Sequence, residues 1–109
     1  MKAYIAGKIS GDPKYYEKFQ TAETALTWEK FIVLNPAELP KGMRPGDYMR
    51  VCFAMIDIAD VVAFLPDWED SRGARLEHDY CEYIGKQTLY LASLRSYQQL
   101  TAPVTIGGF

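Results

Sequence analysis

Apolar positions in this chain follow two different periods. Residues 2–6, 31–34 and 61–65 are short, nearly unbroken apolar runs, the pattern of strands covered on both faces in a parallel sheet. Gly7 ends the first run and Asn35-Pro36 the second. Between them the spacing lengthens to that of a helix. Tyr15, Phe19, Ala22 and Leu26 recur at i, i+4, i+7 and i+11, with Lys14, Lys18 and Glu23 on the opposite side. Tyr48, Cys52, Met55 and Ala59 outline a second helical face, and Asp47 is placed as its N-cap or first-turn acid. A third helix is predicted over residues 74–85, with Leu76, Tyr80 and Tyr83 or Ile84 inward. Residues 88–92 read as a last strand, 93–100 as a short helix, and 101–109 as an apolar, glycine-rich tail.

Strands alternating with helices predict an α/β fold built on one short parallel sheet, and no internal repeat or second domain interrupts residues 1–109. The segment containing Pro40, Gly42, Pro45 and Gly46 reads as an irregular loop at the rim of a pocket.

Composition narrows the function classes. The 109 residues are 49% hydrophobic and 24% charged, which suits one ordinary globular core. A net charge of -2, with both signs spread along the chain, supplies no basic stripe for a nucleic acid. No run approaches the roughly 18 apolar residues of a membrane helix, and the amino terminus lacks the pattern of an export signal. Cys52 and Cys81 lie far apart in apolar helical patterns, which predicts two buried reduced thiols, and hence a soluble protein of the cytoplasm.

In open parallel sheets ligands bind beyond the carboxyl ends of the strands, which directs attention to the loops after strands one and three. In the first, Gly7 and Gly11 bracket Lys8, Ile9 and Ser10 and would let backbone amides approach a ligand. The second, residues 66–73, gathers Asp67, Trp68, Glu69, Asp70, Ser71 and Arg72 ahead of a helix whose first turn is expected to carry Glu77. A carboxylate there would be held ionised by the helix dipole, which suits a nucleophile. The same residues equally read as ordinary helix caps and first-turn acids. His78 is the single histidine and follows Glu77 directly. With the cysteines remote, no metal site is expected.

Four strings carry a family resemblance: Tyr4-Ile5-Ala6-Gly7-Lys8-Ile9-Ser10-Gly11, Val33-Leu34-Asn35-Pro36-Ala37, Ala59-Asp60, and the stretch from Leu65 to His78 that contains Ser71-Arg72-Gly73-Ala74-Arg75-Leu76-Glu77. Together they resemble the nucleoside 2-deoxyribosyltransferase superfamily, and most closely its branch of small bacterial and phage proteins of unknown function (DUF4406-like). The resemblance implies a flavodoxin-like, Rossmann-like three-layer domain with a sheet of four to five strands. It implies that Glu77 is a nucleophile attacking the anomeric carbon of a nucleoside, by the logic of a retaining glycosidase. It places Gly7, Lys8, Ile9, Ser10, Gly11, Asn35, Asp67, Trp68, Ser71 and Gly73 around the substrate, Ser71 tilting the choice toward a 5'-phosphorylated ligand. It implies no cofactor and a homodimer or larger homo-oligomer. Active relatives carry a further catalytic aspartate in the helix before strand three, where this chain has Val51 and Cys52. Asp47 and Asp57 lie out of register with it.

Three functions compete. The first is an enzyme cleaving or transferring the N-glycosidic bond of a (deoxy)nucleoside or its 5'-monophosphate. The second is a protein that captures a nucleotide or nucleotide signal in the same pocket without turnover. The third is a structural subunit with a relic pocket.

Overall fold

Right-handed crossovers from each strand through a helix bring parallel strands side by side, and four such strands form here. A computed structural model describes residues 1–91 and the backbone of residues 106–107. Its elements are β1 (Lys2–Ala6), α1 (Tyr15–Trp28), β2 (Ile32–Leu34), α2 (Pro45–Ile58), β3 (Val61–Phe64), α3 (Arg72–Ile84), β4 (Gln87–Tyr90) and β5 (Ile106–Gly107). The sheet order is β2-β1-β3-β4-β5, parallel except for β5, which pairs antiparallel with β4. In register, Ala6 faces Phe64 and Phe64 faces Tyr90.

The period of two along each strand divides the core into two layers. Ala3, Ile5, Val61, Ala63 and Leu89 pack with Phe19, Ala22 and Leu26 of α1. Tyr4, Ala6, Val62 and Phe64 point the other way, onto Cys52 and Ile56 of α2 and Cys81 of α3. Helices thus cover both faces of the sheet, and the domain is an α/β, flavodoxin-like three-layer fold. Among the described residues no helix is long and apolar enough to cross a membrane.

Several expectations need correction. Pro45 and Gly46 belong to the first turn of α2, where proline's missing N–H costs nothing. The buried face of α2 is Cys52 and Ile56, with Tyr48 and Met55 only half-buried. On α3 the inward residues are Ala74, Glu77 and Cys81, whereas Leu76, Tyr83 and Ile84 are exposed and Tyr80 is half-buried. A helix packed tightly on a sheet favours small side chains at the contact, and hydropathy alone chose the larger ones. The helix expected over 93–100 lies outside the described residues, as does the tail apart from residues 106–107.

Candidate functional site

The strand order places a switch point between β1 and β3, whose following connections leave toward opposite faces of the sheet. The two loops singled out in the sequence meet there. After β1, Asp12 N–H donates to Ile9 O at 3.2 Å, closing a turn in which Gly11 takes φ +80°, a conformation that favours glycine. Gly7 serves a different need. A Cβ at that position would lie 2.6 Å from Leu65 Cδ1, so the missing side chain lets β1 and the end of β3 approach. Ile9 is half-buried against the α1 layer, while Ser10 and Gly11 are exposed.

The loops are tied by Asp67. Its Oδ1 accepts the Lys8 backbone N–H at 3.1 Å, and its Oδ2 pairs with Lys18 Nζ. The same ammonium donates to Lys8 O at 2.8 Å and to Asp12 Oδ2 at 2.6 Å. Lys18 holds the Asp12 carboxyl below its usual range, aided by the Lys14 N–H. Lys18 was expected on the solvent side of α1, yet its side chain is only 10% exposed. A lysine can snorkel along a helix and end in a polar cage. Helical periodicity tracks Cβ direction and misses this.

Glu77 occupies the middle of the buried face of α3, its side chain between the helix and the sheet. The helix begins at Arg72, so Glu77 lies in the second turn and not the first. The expected dipole stabilisation of its charge is therefore replaced by the opposite effect. Glu77 is 5% exposed, and burial pushes its carboxyl up to about 7, against smaller opposing effects of hydrogen bonds from Tyr4 and Cys52. The Tyr4 hydroxyl donates to Glu77 Oε2 at 2.6 Å. Burial, and then the Glu77 charge, raise the Tyr4 phenol well above its ordinary value. Burial likewise pushes the Cys52 thiol up to about 11. The chemical outcome is a carboxylate aimed by a phenol and a thiol and poised between its two protonation states near neutral pH. Val51 is exposed, so of the Val51-Cys52 pair it is Cys52 that faces Glu77.

The remaining residues fall into distinct roles. Ser71 caps α3, its Oγ accepting Ala74 N–H at 3.1 Å. Asn35 is 8% exposed and caps a short 3-10 helix by accepting Ala37 N–H at 2.9 Å, while its amide donates to Glu23 at 2.9 Å. Gly73 lies beside Met49, with room for an ordinary contact. Trp68 stacks on His78, ring centroids 4.2 Å apart and planes within 15°. His78 in turn contacts Tyr90 Oη through Nε2 at 2.7 Å and Glu82 Oε1 through Nδ1 at 2.9 Å. Ligand atoms of His78, Asp79 and Glu82 lie within 4.8 Å of one another, but both imidazole nitrogens already have partners. A separate cleft of ≈ 450 Å³, lined in part by Asp57, Asp60 and Lys86, opens at the amino ends of β3 and β4, the pole opposite these loops.

Sequence reasoning missed Tyr4, Lys18 and Tyr90 as members of the site, and gave His78 no role beyond ruling it out as a metal ligand. Tyr4 left a readable signal, a phenol in the middle of a mostly apolar strand, whereas Tyr90 ends a strand that also holds Gln87 and Thr88 and left none. Residues 1–90 match a family model described as Domain of unknown function (DUF4406). No curated protein and no solved structure matches the chain.

Proposed function

The chain belongs to the family of the DUF4406 domain of unknown function, and on the chemistry of its site we propose that it cleaves or transfers the N-glycosidic bond of a (deoxy)nucleoside or its 5'-monophosphate. Glu77 is the nucleophile in this reading. The observation that carries it is the Tyr4–Glu77 pair, a buried carboxylate aimed by a phenol 2.6 Å away. The resemblance of residues 65–78 to nucleoside 2-deoxyribosyltransferases supports the same role. The carboxylate attacks the anomeric carbon, the base departs, and water or a second base discharges the glycosyl ester. The Gly7-to-Gly11 loop and the capped amino end of α3 are the places where sugar or phosphate would be held, and Trp68 offers a stacking surface to the base.

A second reading, nucleotide capture without turnover, is favoured by Cys52. A thiol pushed up to about 11 offers neither charge nor an acidic proton at neutral pH beside Glu77. The exposed Leu76, Tyr83 and Ile84 on α3 are in keeping with a homo-oligomer, and the two free, buried cysteines with a reducing, cytoplasmic setting.

The test is incubation with a panel of nucleosides and 5'-monophosphates, followed by chromatography for free base. Release that Glu77→Ala abolishes establishes the glycosidic reading. The rate should rise with pH through about 7, as Glu77 ionises. Calorimetric binding without release would establish capture, and no binding of any member would reject both readings.

A further inference from the structure

The chain of contacts Glu82–His78–Tyr90 has no part in the reaction as described so far. His78 is one residue beyond Glu77 on α3, its side chain is 14% exposed, and both ring nitrogens are engaged. Tyr90 ends β4 directly beside Phe64, and the two rings stack at 5.5 Å. Phe64 also meets His78 edge-on at 5.0 Å, and Trp68 lies flat on His78 while its own ring is 5.4 Å from Phe64. The aromatic rings thus form a wall at the carboxyl end of the sheet, with one phenol hydroxyl wired to an imidazole and a carboxylate.

We propose that the Tyr90 hydroxyl, wired through His78 to Glu82, donates the proton to the departing base and accepts one in the second half-reaction. This deepens the glycosidic reading above and rests on it. A base leaving as an anion is a poor leaving group, and Glu77 is committed to the anomeric carbon, so the proton must come from another group. An ionised Glu82 accepts only, so it accepts a hydrogen bond from His78 Nδ1–H, which keeps its proton throughout. The Nε2 position then decides the direction of transfer. With His78 as imidazolium, Nε2–H donates to Tyr90 Oη and leaves the phenol proton free to point at the base. With His78 neutral, Tyr90 donates to Nε2 and its oxygen is free to accept.

The two states match the two half-reactions. In the first, Glu77 bonds to the anomeric carbon, and the carbon–nitrogen bond breaks with its electron pair passing to the base. The base takes the Tyr90 proton, and Tyr90 takes the Nε2 proton. In the second, water bonds to the same carbon and the ester to Glu77 breaks. The water proton passes to Tyr90, whose own proton returns to Nε2. The cycle closes with no external acid or oxidant. Tyr90 is the catalytic group; His78 and Glu82 are positioning residues that set its direction.

The experiment measures kcat/KM across nucleosides whose bases differ in acidity, an N7-methylated purine nucleoside among them, because that base departs without a proton. Tyr90→Phe keeps the ring and removes only the hydroxyl. It should slow release of ordinary bases by roughly 10²- to 10³-fold and leave the N7-methylated substrate within about threefold, steepening the dependence on base acidity. His78→Gln should reproduce the selectivity, and the double variant should lose little beyond Tyr90→Phe, since the two act as a unit. Equal losses on all bases, or none, would overturn the relay while Glu77→Ala still abolished release. Absence of release by the wild-type protein from every substrate would overturn the relay and the glycosidic reading together.

Discussion

Glu77 has a consequence for stability as well as for chemistry. Its carboxyl is raised from an ordinary value of 4.5 to about 7 by burial. The folded state therefore binds a proton more tightly than the unfolded chain. The stabilisation is fully present below about 4.5 and is lost as pH rises to about 7, a swing of ~3 kcal/mol. Glu77→Gln keeps the shape and removes the titration. In urea unfolding at a series of pH values, the stability of wild type relative to this variant should fall by that amount between pH 4.5 and 8; parallel curves would show Glu77 to be solvated. Gly7 makes a purely steric claim. Gly7→Ala places a methyl 2.6 Å from Leu65 Cδ1 and should destabilise by about 1–3 kcal/mol. Leu65→Val in the same chain should recover part of the loss, measured by thermal unfolding. The sequence made Gly7 a candidate for approach to a ligand, because a glycine after a strand looks the same whether a ligand or a leucine lies opposite.

At the level of elements, the decisive connection is between loops. Lys18 leaves α1 and joins the β1 loop to the β3 loop through Lys8 O, Asp12 and Asp67. Lys18→Met keeps the aliphatic stem and removes the cage, and should cost about 2 kcal/mol, since hydrogen bonds to charged groups contribute about 1.5–3 kcal/mol each. Hydrogen exchange at the Lys8 amide, which donates to Asp67, should accelerate in that variant. Unchanged exchange would mean that Asp67 holds the loop alone. Strand and helix positions were legible because burial imposes a period. The inward face of α3 was not, since Ala74, Glu77 and Cys81 are small or polar and are buried only because the sheet lies against them.

Across the molecule, stability should concentrate where both faces and both edges of a strand are covered. β1 and β3 are flanked by other strands and fully buried at Ala3, Ile5, Val62 and Ala63, whereas β2 is an edge strand with Ile32 exposed. Native-state hydrogen exchange should accordingly be slowest in β1 and β3, with β2 opening at lower free energy. Equal protection of β2 would show that something further covers that edge. The same arrangement brings the site together, since both loops follow these two buried strands and are tied to each other through Asp67.

Local patterning was enough to establish an α/β domain, the order of strands and helices through residue 91, the two loops worth watching and the candidacy of Glu77, because each rests on spacing, turn chemistry or a contiguous motif. The charge state of Glu77, the partnership of Tyr4 with it, the Lys18 cage and the Tyr90–His78 wire depend on residues far apart in the chain. Their identity becomes visible only when folding excludes water and fixes distances between strands and helices. Burial raises the Glu77 carboxyl where its place near a helix start had suggested an ionised group, and no sequence period encodes that reversal.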